Sequence, residues 1–175
     1  MQKKSSLLYN KNVKDLADKG VPLFKELPHL PKKWIETIVK ILPFLVLIGG
    51  IFSIISALQN IFIFNRTQSW IMQWAQVSRA YYYVSGIFTA LMGALYLMAY
   101  KPLKNKEYEG WLLLFLSAIL SLAESLVVLI LGWGGLFGLL ISAVISFYLL
   151  YEIRPEFIKI EKKKTTSSKK TKKSK

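Results

Sequence analysis

In the stretch LFLSAILSLAESLVVLI (residues 114–130) a single carboxylic acid, Glu124, interrupts an apolar run. An ionisable group in such surroundings is costly unless it is neutral or partnered. Residues of this kind therefore mark ion paths, proton relays or packing contacts. Ser117, Ser121, Glu124 and Ser125 fall at i, i+4, i+7 and i+8, one stripe of a helix. At about 1.5 Å per residue, Glu124 lies roughly 10 Å inside the end of its helix. The same depth in the other apolar runs meets Ser56, Thr89 and Ser142. The spacing thus predicts a polar layer made of Glu124, Ser121, Ser125, Ser56, Thr89 and Ser142. No Lys, Arg or His lies in the apolar runs to balance the carboxylate. That favours a protonated acid donating to a Ser or Thr oxygen. Three roles compete for Glu124: a satisfied packing carboxyl, the coupling group of a small proton- or cation-coupled transporter, and an oligomer contact.

Other chemistry has little support in the residue types. The chain has no Cys, which excludes disulfides and thiolate metal sites. His29 is the sole histidine, set between Pro28 and Leu30 with no acid beside it, and reads as a surface or linker residue rather than a metal ligand. No nucleophile–base pair is spaced for catalysis, and the glycines at 132–138 have no Lys beside them to hold a phosphate. The expectation is a non-enzymatic protein with no cofactor, no metal and no small-molecule substrate.

The elements that must carry Glu124 follow from charge segregation. Net charge is +14 over 175 residues, yet the mean hydropathy is positive, +0.37. Residues 1–40 hold nine Lys and four acids, and residues 152–175 hold ten Lys/Arg and three acids. Between them, residues 41–151 hold only five basic and three acidic residues. A soluble domain interleaves its charges with its core; this chain separates them, as membrane spans with solvated flanks do. About 20 apolar residues cross a bilayer. Four runs qualify, at about 41–64, 81–100, 111–131 and 133–152, with GWGG (132–135) breaking the last two as a hairpin. The first run begins some forty residues in and reads as a span rather than a cleavable leader.

The predicted fold class is all-α: a polytopic membrane protein with four transmembrane helices in a compact bundle. Lys101, Lys104 and Lys106 in the middle connection, together with both basic termini, put both ends on the cytoplasmic side of a cell membrane. Trp34, Trp70, Trp74, Tyr81 to Tyr83, Tyr100, Trp111, Trp133 and Tyr151 fall near the predicted interfaces as anchors. The domain plan is a basic, proline-containing lead-in (1–40), the transmembrane domain (41–152) and a disordered Lys-rich tail (153–175).

Within the lead-in, YNKNVKDLADKG predicts a short amphipathic helix stopping at Gly20, either on the membrane surface or frayed in water. KKWIETIVK reads as interfacial helix leading into the first span. Outside the membrane, SWIMQWAQVSR predicts a second interfacial helix carrying Trp70 and Trp74. Gln59 and Asn60 are the only amides in the spans.

Lipid tails are as apolar as Leu, so span association needs close backbone approach or polar contacts. Each span offers small residues at four-residue spacing: Gly49–Ser53–Ala57, Ser85–Thr89–Gly93 with Gly86–Ala90–Ala94, Ser117–Ser121–Ser125, and Gly134–Gly138–Ser142–Ser146. Their recurrence favours a bundle. It leaves open whether those faces meet within one chain or between chains.

GWLLLFLSAILSLAESL (110–126) and ISFYLLYEIRPEF (145–157) together resemble the ends of small uncharacterised four-helix bacterial membrane proteins, whose last helix is rich in Phe and Tyr and closes on an Ile-Arg turn. The resemblance implies a four-helix fold and brings no activity with it. Small multidrug exporters also carry one membrane Glu among four helices, but theirs is in the first helix, and the first span here has no acid. Arg154 reads as a cation snorkelling to the interface, and Pro155 as the stop of the fourth helix. The tail KIEKKKTTSSKKTKKSK fits anionic lipid headgroups. Binding RNA, the ribosome or an acidic partner protein is the alternative, with nucleic acid disfavoured because no aromatics lie among the lysines to stack on bases. The function expected is a self-associating or accessory membrane subunit, with a homo-oligomer or a membrane partner protein; the alternative is a transporter using Glu124.

Overall fold

A computed structural model describes residues 11–63, 79–132 and 135–173. Every element among them is helical: α1 (Lys11–Lys25), α2 (Lys32–Leu58) prolonged by a π-helical turn (Gln59–Ile63), α3 (Arg79–Lys104), α4 (Tyr108–Ile130) and α5 (Leu136–Lys173). Helices α2 to α5 are the four long apolar ones, each long enough to cross a bilayer. Most of the predicted outer connection, with Trp70, Trp74 and Asn65, lies outside the described residues, as do Trp133 and Gly134.

Chain neighbours pack in order: α2 on α3, α3 on α4, α4 on α5. The first and last spans, α2 and α5, barely touch. Glycines bring α2 and α3 together. A Cβ on Gly93 would sit 2.9 Å from Ile54 Cδ1, and one on Gly86 would sit 2.8 Å from Ile61 Cγ1. On α2 the close residue is Gly50, against Leu97, whereas Gly49 has open space around it. The small faces of the first two spans therefore meet within one chain.

The α3–α4 turn is tight for a definable reason. Lys106 N–H bonds to Leu103 O (2.9 Å) and Glu107 N–H to Pro102 O (2.8 Å), a Schellman closure with Lys106 in the left-handed conformation at φ 53°. Gly132, at φ 78°, closes α4 in a similar way, its N–H bonding to Leu129 O at 3.0 Å. The GWGG break is thus a helix end, with α5 starting at Leu136.

Two boundaries differ from the sequence reading. The amphipathic helix α1 runs through Gly20 and Pro22 to Lys25, because Gly20 packs against the Tyr151 ring. The KKWIETIVK segment leads helically into the first span as the uninterrupted start of α2. Helix α5 passes through Pro155, and its apolar part ends at Ile158. A proline inside a helix removes one hydrogen bond, and burial of Ile153 and Phe157 on either side holds the helix together there.

The core sits at one end of the bundle, where α1 lies. Residues 110–115 of α4 are buried all round, with Trp111, Leu103, Leu113 and Phe157 at most 2% exposed. At the other end the opening turns of α5 stand largely exposed.

Candidate functional site

The residues of the predicted polar layer do not converge on one place. Glu124 is half-buried between α3 and α4, where Ser85 Oγ donates to Glu124 Oε1 at 2.9 Å. Ser121, Ser125 and Ser142 instead line a groove of about 320 Å³ bounded by α2, α4 and α5, with Tyr96 of α3 at its wall. Ser117 and Ser146 add hydroxyls to it, and Leu42, Val46, Gly49 and Phe147 supply apolar wall. Neither Glu124, Ser56 nor Thr89 lines this groove. Ser56 is exposed on α2 and Thr89 is half-buried on α3, one turn from Ser85.

The groove hydroxyls are largely occupied by their own helices. Ser117 donates to Leu114 O (2.7 Å), Ser125 to Ser121 O (2.9 Å) and Ser142 to Leu139 O (3.0 Å). What they present is a narrow, weakly polar surface with short side chains, open along the α2–α5 seam.

A denser polar cluster, absent from the sequence reading, lies at the α1 end. Trp111, fully buried, donates its Nε1–H to Leu150 O at 2.7 Å. It stacks between Tyr108 (5.4 Å) and Phe115 (5.5 Å), with Tyr151 edge-on at 5.9 Å. The Arg154 guanidinium lies 5.1 Å over the Trp111 ring and donates from Nη2 to Asp18 and to the Tyr108 hydroxyl. Its Nε is buried without a protein partner. Arg154 is 8% exposed, so it is a core cation paired to α1 rather than one snorkelling to water.

Glu152, also 8% exposed, meets His29 Nδ1 at 2.6 Å and accepts the Leu30 N–H at 3.2 Å. His29 itself is exposed, as expected, yet it has a partner that no local pattern could reveal. Tyr148 and Tyr151 donate to Pro28 O (2.5 Å) and Ala17 O (2.9 Å). Among the described residues no group of three His, Cys, Asp or Glu converges as metal ligands do.

Four long apolar helices packed together suggest a small multi-pass membrane protein. No family model, curated protein or solved structure matches the chain.

Proposed function

We propose that the chain is a non-enzymatic, multi-pass membrane protein that works by self-association or as an accessory subunit of a membrane assembly, with both termini cytoplasmic. The observation that carries this reading is the small face of α5, which is exposed along the open groove it shares with α2 and α4. Gly138, Ser142 and Ser146 recur at one-turn spacing on exposed helix, and a Cβ on Gly138 would meet nothing within 4 Å. Small residues of this kind let a second helix approach closely in lipid. The basic flanks support the cytoplasmic assignment, and the Lys-rich tail supports contact with anionic headgroups. Transport through Glu124 has weaker support, because the carboxyl is turned to Ser85 and away from the groove.

Cysteine crosslinking in native membranes tests the proposal, since the chain has no cysteine of its own. Ser142→Cys is expected to give disulfide-linked dimers far faster than Phe44→Cys, which lies on the exposed face of α2. Equal, slow crosslinking at both positions would refute self-association through α5.

A further inference from the structure

Four side chains within seven residues of α5 all reach back to the segment that precedes α2. Tyr148 bonds to Pro28 O, Tyr151 to Ala17 O, Glu152 to His29 and to the Leu30 N–H, and Arg154 to Asp18. Phe24 adds a ring stacked 4.6 Å over Tyr151. The partners run from α1 to within two residues of the start of α2.

These contacts matter because so little else joins α2 to α5. Every other pair of consecutive spans is packed side by side, whereas the first and last spans enclose the serine-lined groove between them. On α5 the groove wall ends at Leu150, within the stretch 148–154 that carries the bonded residues. The groove is therefore tied at one end and untied at the other. The tie is made of directional polar bonds, three of them to the buried charged side chains Glu152 and Arg154. Such bonds have two discrete arrangements, made and broken, which is what a bistable element requires. A buried charge that loses its partner must find water. Release of the tie and outward movement of the α5 end are thereby linked.

We propose that residues 11–30 form a strap that fastens α5 to the start of α2 and holds the α2–α5 seam narrow, so that releasing the strap swings α5 outward and widens the opening of the serine-lined groove to the bilayer. The strap acts within one chain and does not depend on self-association.

The test uses spin labels at Ile48→Cys on α2 and Ile145→Cys on α5, both exposed and neither lining the groove, in nanodiscs holding a single chain. Asp18→Arg places like charges together at an exposed position of α1. It is expected to add a population longer by about 5 Å, half a helix diameter. Arg154→Asp is expected to do the same, and the double exchange to restore the original distribution. Tyr148→Phe, which removes one hydroxyl and leaves the ring, is expected to add a smaller share of the longer population, and it carries the test should a charge variant lose its helicity. Unchanged distances in the single variants overturn the proposal. So does a lengthening that the double exchange fails to reverse.

Discussion

Replacing Gly110 by Ala puts the α3–α4 turn to a sharp test. A Cβ at this position would lie 2.6 Å from the backbone N of Leu103, 2.9 Å from Leu103 Cγ and 3.0 Å from the Pro102 carbonyl carbon. Two of those three atoms are backbone, so no rotamer change relieves the contact. The helices must separate until the closest approach rises from 2.6 Å to the 3.4 Å at which ordinary contact begins. Overpacking of this kind costs about 1–3 kcal/mol. Alanine offsets part of that through its better helix propensity, at most ~1 kcal/mol over Gly. Net destabilisation of about 1–2 kcal/mol follows.

The same substitution at Gly49, where nothing lies within 4 Å, keeps the propensity gain without the clash and is expected to be neutral or stabilising. The two alanines should therefore differ by ~2 kcal/mol, about thirtyfold in the unfolding equilibrium, where 1.4 kcal/mol is a factor of ten. Reversible unfolding in mixed micelles, followed by circular dichroism, reads the difference. Equal stability of the two variants would refute the close packing of α3 on α4.

Three further outcomes are expected. Lys106→Gly relieves a left-handed residue at the same turn and should stabilise by ~0.5–1 kcal/mol in that assay, since a left-handed conformation is costly for any residue with a Cβ. Trp111→Phe removes the bond to Leu150 O and weakens the contact with Arg154, at a cost of about 1–2 kcal/mol; Trp111→Ala should cost ~3–5 kcal/mol, and a milder effect would place the core elsewhere. Ser85→Ala leaves Glu124 without its donor and should cost ~1–3 kcal/mol, whereas Glu124→Gln keeps an acceptor and should stay near wild type. Proton flux in proteoliposomes that vanishes in Glu124→Gln would show that the carboxyl serves transport instead of packing.

The spans were legible because segregation of apolar from charged residues survives any error in their boundaries. The turns were legible in part: GWGG signalled a break, but nothing in Lys106 announced a left-handed residue where Gly is usual. Depth counting named Thr89 as the α3 position facing Glu124. Ser85 is its partner, because Glu124 lies six residues from the end of α4 and Ser85 six from the start of α3. Placing that start at Tyr81 instead of Arg79, and the end of α4 at Leu131 instead of Ile130, moved the count by most of a turn. The α1-end cluster was not legible at all. Trp111 and Arg154 have the residue types of interfacial anchors; α5 packs over Trp111, and Asp18 of α1 holds Arg154. The bonds from α5 back to α1 and the segment after it join residues 120 to 136 apart, beyond any helical period.

That separation has a consequence for the order of assembly. Contacts such as Ser85 with Glu124 and Trp111 with Leu150 span 39 residues each and can form as soon as the next helix has been inserted. Tyr148 and Arg154 emerge 120 and 136 residues after their partners, Pro28 and Asp18. Pairing across such a stretch must wait for the whole intervening chain and adds loop-closure entropy to its formation. Among the described helices α1, which precedes the spans in the chain, is therefore the last to find its place, after the four long apolar helices have paired.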